Sequence, residues 1–116
     1  MSDNLEVESR VDGDLAVVTT DGYINNTAAE SIAKVCGDHL DAGARKFVLN
    51  LAKSRIINSI GISILIEVIE KVRGEEGSVA FCQVTPTIEK TFRIMGLMNT
   101  STVHGTEEEA VAHLTS

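Results

Sequence analysis

The chain has 116 residues, with 17 acidic and 10 basic side chains and a net charge of −7. That length predicts a single domain, residues 1–116, burying about two-thirds of its unfolded surface, enough for a core without metal or disulfide staples. The acidic balance argues against nucleic acid, whose phosphates need a basic surface, and the 43% hydrophobic content argues against disorder.

Aromatic residues are only 3% of the chain, so Ile, Leu, Val and Ala must supply most of the core. Cys36 and Cys82 fall in a predicted helix and a predicted strand. They read as small buried hydrophobes in a reducing, cytoplasmic setting. No apolar segment follows Met1 and no apolar run reaches ~18 residues, so neither secretion nor membrane spanning is expected.

The first two strands read as a hairpin. Leu5, Val7, Ser9 and Val11 alternate with charged residues, Asp12-Gly13 is a turn signal, and Leu15 to Thr20 returns. Thr27 and Glu30 have capping-box spacing, predicting a helix to about Leu40, with Gly43 closing the connection. Phe47-Val48-Leu49-Asn50-Leu51 is the near-continuous apolar run of a strand covered on both faces.

A second helix is expected from Ser59 to about Arg73, stopped by Gly74. Its core stripe should be Ile62, Leu65, Ile66, Ile69 and Val72, with Ile60 and Ile64 nearly opposite, beside Glu67 and Lys71. Val79 to Val84 reads as the next buried strand. Thr85-Pro86 opens a third helix, its inner face marked by Ile88, Phe92 and Met95 and its end by Gly96. A weak strand near Ser101 to Val103 precedes Thr106-x-x-Glu109, a second capping box opening a helix to Leu114. The expected fold is therefore α/β: a mixed, mostly parallel sheet with four helices packed on it.

Enzyme motifs are missing. There is no Gly-rich phosphate loop with its Lys and no dinucleotide fingerprint after a strand. Gly61-Ile62-Ser63-Ile64-Leu65 lacks the last Gly of a nucleophile elbow. His39, His104 and His113 are expected on a helix, a loop and the last helix, without metal-ligand spacing. Glu107-Glu108-Glu109 reads as a solvated, dipole-favoured first turn rather than a catalytic cluster. No catalytic residue, metal or cofactor is predicted.

The most informative stretch is Ile56-Ile57-Asn58-Ser59-Ile60-Gly61-Ile62-Ser63. It sets the Ser59 hydroxyl at a helix N-terminus, as its expected cap, where backbone N–H groups and the dipole favour a phosphate. Ile60 and Ile64, one turn apart and facing outward beside it, form a candidate docking patch for a partner.

The layout resembles the STAS domain of bacterial anti-sigma factor antagonists over nearly the whole chain. The resemblance rests on Gly22-Tyr23-Ile24-Asn25, Phe47-Val48-Leu49-Asn50-Leu51, Asn58-Ser59-Ile60-Gly61-Ile62, Val84-Thr85-Pro86-Thr87-Ile88 and Met95-Gly96-Leu97. It implies a non-enzymatic regulator that binds an anti-sigma factor serine kinase, is phosphorylated on Ser59, and is dephosphorylated by a metal-dependent phosphatase. Asn25 and Asn58 stand where the family usually has acids, and with Ser59, Ile60 and Ile64 they make up the expected partner surface. An amide cannot act as a charged acceptor for the serine proton, yet it also repels a phosphate less. A scaffold module that binds without phosphorylation is the alternative reading, and a homodimer is left open.

Overall fold

A computed structural model describes residues 6–116. Leu5, assigned above to the first strand, lies outside the described residues. Five strands form one sheet in the order β1-β2-β3-β4-β5: Glu6–Asp12, Leu15–Asp21, Lys46–Lys53, Ser78–Cys82 and Thr102–His104. β1 runs antiparallel to β2, while β2, β3, β4 and β5 are mutually parallel. Gly13 sits in the turn between β1 and β2 at φ +64°, a conformation that suits glycine.

The helices α1 (Asn26–Asp41), α2 (Ser59–Gly74), α3 (Pro86–Met95) and α4 (Glu107–Thr115) complete the expected α/β architecture. None is long and apolar enough to cross a membrane.

Strand alternation divides the sheet residues between two cores. Ala16, Val18, Phe47, Leu49, Leu51, Val79 and Phe81 join the larger one, with Ile32 and Cys36 of α1, Leu65 and Ile69 of α2, and Ile88 and Phe92 of α3. Leu15, Val17, Val48, Ala80 and Cys82 face the other way and meet Ala110, Val111 and Leu114 of α4. All three phenylalanines are buried in the larger core, and the rings of Phe81 and Phe92 lie 4.9 Å apart. Each such ring contributes roughly 1.5–3 kcal/mol by burial, so a chain poor in aromatics places them where they count.

Several local expectations are corrected. The Thr27–Glu30 box does not start α1: Asn25 is the cap, and its side chain accepts from the Ala28 amide at 2.9 Å. Backbone pairing of Ile24 with Ile57 holds the chain extended just before Asn25, so the helix begins earlier. α2 runs through Gly74, and the left-handed turn after it falls on Glu76 at φ 66°. Val68 joins its buried stripe while Ile66 is half-buried, because α1 packs alongside α2 and widens the apolar face. β4 stops at Cys82, since Gln83 takes a left-handed φ of 59°.

Thr85 caps α3 as expected, but Met95 is exposed. The place expected for it is filled by Leu97, which a left-handed Gly96 turns inward in a 3-10 turn, Leu97–Asn99. His104 is on β5 rather than in a loop, and its ring lies tilted against that of His113, the centroids 4.9 Å apart. Thr106 caps α4 by accepting from the Glu109 amide, and the Glu109 carboxylate accepts in return from the Gly105 amide, one residue before the cap.

Glu107 departs from a merely solvated acid. It is half-buried, pairs with Arg10 of β1, and accepts from the Asn50 side chain of β3 at 3.0 Å. The Arg10 bond first, then the Asn50 bond, hold its carboxyl below the ordinary value of 4.5. Burial pushes both cysteine thiols up to about 12, so they remain protonated at neutral pH.

Candidate functional site

The carboxyl ends of β2 and β3 carry the site. Beyond these strands the chain keeps pairing: the Gly22 amide donates to Lys53 O at 3.0 Å, and Ile24 N to Ile56 O at 2.9 Å. Asn58 N donates back to Ile24 O at 3.1 Å, so Ile24 and Ile57 form a parallel bridge. That bridge fastens the residues before α1 to the residues before α2. Two helix N-termini are thereby set side by side, each capped by an asparagine.

Asn58, not Ser59, is the N-cap of α2. Its backbone is extended (φ −93°, ψ 173°), its Oδ1 accepts from Gly61 N at 2.7 Å, and its carbonyl accepts from Ile62 N. Ser59 is the first helical residue and exposed, and its hydroxyl has no protein partner among the described residues. The correction has a simple cause: an amide one residue earlier reaches the same N–H groups and fits the extended conformation of a cap. It releases the serine. With Gly61 and Ile62 amides satisfied by Asn58, the amides of Ser59 and Ile60 are the orphan donors of the first turn. An anion on the Ser59 oxygen would lie beside them and at the positive end of the helix dipole.

Asn25 and Asn58 are thus helix caps, joined through the bridge between their preceding residues. Their amides provide the acceptor that an aspartate would, without its charge. Ile60 is 53% exposed, as expected. Ile64 is not fully outward. It is half-buried, packs against the larger core, and lines a groove of about 220 Å³ between α1 and α2 with Ala33, Cys36 and Gly37. The helical projection treated α2 as packed on the sheet alone, whereas α1 covers its flank.

Two residues of this surface escaped the sequence reading. Tyr23 and Ile56 are 43% and 62% exposed. Each immediately precedes a member of the Ile24–Ile57 bridge, so each faces away from the side that Ile24 buries. The signal was available in the strand-like alternation Tyr23-Ile24 and Ile56-Ile57, but both pairs sit in what reads as loop. With Ile60 they are the exposed large apolar side chains on the paired loops and helix turn that carry Ser59.

Comparison with known proteins agrees with this architecture. A family model described as the STAS domain matches residues 6–110. BtrV of Bordetella bronchiseptica, named as a candidate anti-sigma factor antagonist, is 27% identical over 103 residues, covering 89% of this chain and 88% of that one. The crystal structure of an anti-sigma factor antagonist from Mycobacterium paratuberculosis superposes with a TM-score of 0.86 at 20% identity, covering 100% of this chain and 98% of that one. The Bacillus cell fate determinant SpoIIAA, solved in its phosphorylated form, superposes with a TM-score of 0.72 at 20% identity over 94% of this chain and 97% of that one. With the family model spanning almost the whole of the described sheet and its helices, the chain belongs to the STAS domain family.

Proposed function

We propose that this chain is an anti-sigma factor antagonist, a cytoplasmic, non-enzymatic protein that binds an anti-sigma factor serine kinase through the end of the sheet that carries Ser59. Phosphorylation of Ser59 releases the partner, and a serine phosphatase restores binding. The observation that carries this reading is the exposed Ser59 hydroxyl at the start of α2, beside two orphan amides and on the same turn and paired loops as the exposed Tyr23, Ile56 and Ile60. A kinase can reach the hydroxyl, and the helix start can accommodate the product.

A phosphate adds nearly two negative charges, and burying them against an apolar partner surface without cations costs several kcal/mol. The unmodified surface can be covered; the modified one resists it. Ser59, Ile60, Asn25, Asn58 and the exposed part of Ile64 make up the proposed contact surface, extended here by Tyr23 and Ile56.

A second reading is favoured by one observation. Asn25 and Asn58 serve as neutral caps where the family usually has acids, which removes a charged group that could assist proton transfer from Ser59. In that case the same surface binds a partner constitutively. Incubation with the partner kinase and ATP, followed by intact-mass analysis, separates the two. Phosphate on Ser59, lost in Ser59→Ala, with binding weakened in Ser59→Asp, supports the switch. Partner binding without modification supports the constitutive module, and phosphate on Ser63 with Ser59 unmodified defeats the Ser59 switch.

A further inference from the structure

β1 is an outer strand of the sheet, paired with β2 along all seven of its residues. Its other edge has no partner among the described residues. Sheets protect such edges with proline, bulges or charged side chains; Glu6–Asp12 has no proline and no register shift against β2, so its four charges, Glu6, Glu8, Arg10 and Asp12, decide what can pair with it. All its side chains but Val7 are exposed, and Val11 is 51% exposed.

Reversed about its midpoint, Ser9, the strand complements itself. Val7 falls opposite Val11, Glu8 opposite Arg10, Ser9 opposite Ser9, and Glu6 opposite Asp12. Opposed residues in an antiparallel pair share a face, so the twofold axis stands perpendicular to the sheet and each helical layer keeps its side. On the α1 face, Val7 packs against the larger core and would meet the exposed Val11 of the second copy. On the α4 face, Arg10 already bonds Glu107 but is 63% exposed. Its planar guanidinium, with five donors, has room for Glu8 of the second copy as well. The like-charged Glu6 and Asp12 meet only at the two ends, where water screens them.

We propose that the chain self-associates through β1, two copies pairing antiparallel about Ser9 into one continuous sheet of ten strands. The occupant of this edge is a second copy because the order of charges, acid, acid, base, acid at 6, 8, 10 and 12, matches its own reversal at the central positions. An apolar edge would take any strand; this one selects. Seven paired residues make a small interface, at the weak end of specific association.

Sedimentation velocity from about 10 µM to about 1 mM tests this, with weight-average mass expected to climb from 12.4 kDa toward twice that value. Glu8→Arg sets two arginines against each other and should raise the dissociation constant at least tenfold. Val11→Lys should do the same, and neither residue has an intrachain ion pair among those described. Mixing Glu8→Arg with Arg10→Glu makes every central cross-pair opposite in sign, so the mixture should associate where each variant alone does not. A wild-type protein that remains monomeric at 1 mM overturns the proposal. So does a dimer indifferent to both Glu8→Arg and Val11→Lys, or a mixture of folded variants that fails to associate. Arg10→Glu also loses its bond to Glu107; if its melting curve shows it unfolded, the other two variants decide the question.

Discussion

Gly61→Ala and Gly74→Ala make the same chemical change in the same helix, and the structure requires them to act in opposite directions. Alanine outranks glycine in a helix by up to about 1 kcal/mol. At Gly74 a new Cβ meets nothing within 4 Å, so that gain should appear, reduced to some tenths because the position is the last of α2. At Gly61 the Cβ would stand 2.8 Å from the Ile24 carbonyl oxygen and 3.2 Å from both Asn58 Oδ1 and Ile57 Cγ1. The carbonyl is backbone and is held by the Asn58 amide, so it cannot swing aside. Either the first turn of α2 or the Tyr23–Asn25 segment must retreat. Overpacking of this kind costs about 1–3 kcal/mol, and a stretched Asn58–Gly61 cap adds about 1 kcal/mol. Against a helix gain of at most about 1 kcal/mol, the net is a destabilisation of about 1–3 kcal/mol. Urea unfolding followed by circular dichroism measures both variants against the parent. A Gly61→Ala protein as stable as the parent, with Gly74→Ala mildly stabilised, would refute the claim that the two loops are packed to backbone contact.

Ile60→Glu should leave stability within about half a kcal/mol, as at an ordinary surface site, yet weaken partner binding in a titration. Ile64→Glu should cost about 1–3 kcal/mol in a melt, because that side chain is partly enclosed between α1 and α2. Asn58→Asp keeps a capping oxygen and should melt like the parent, while timed kinase assays show an altered rate of phosphoryl transfer to Ser59. Glu107→Gln should destabilise by about 1 kcal/mol at neutral pH. The folded carboxyl lies below its ordinary 4.5, so this difference is complete above that pH and vanishes on acidification through the folded value, which paired melts at several pH values would reveal. Cys36 and Cys82, buried and raised to about 12, should resist alkylation in the native protein and react only once denaturant is added.

Much of the fold was legible because local signals and burial pointed the same way. Asp12-Gly13, the Phe47–Leu51 run, Thr85-Pro86 and Thr106-x-x-Glu109 each turned up where their chemistry requires. The misreadings of Thr27, Ile64 and Glu107 share one origin, contacts made between elements distant in sequence. Thr27 has the right spacing for a cap, but a bridge from Ile57 fixes the chain before Asn25 and hands the role to that residue. Ile64 projects outward on a helix considered alone and is half-covered once α1 lies beside it. Glu107 appears as one of three solvated acids until Arg10 and Asn50 approach from β1 and β3. At the candidate site, Ser59 was visible from its neighbours in sequence, whereas Tyr23 and Ile56 became part of it only when the parallel bridge aligned their loops.

The two faces of the sheet are held very unequally. Behind Ser59 stand three helices and a continuous apolar core, while α4 alone covers the opposite face, with only Ala110 of its residues fully buried. Such a helix belongs to the low end of the local stability range and should open long before the domain unfolds. Amide exchange would then distinguish a loose layer, α4 with its bonds to Arg10 and Asn50, from a slow one containing β3, α1 and α2. Motion is thus expected on the side away from the serine, which would leave the proposed partner surface its shape before a partner arrives.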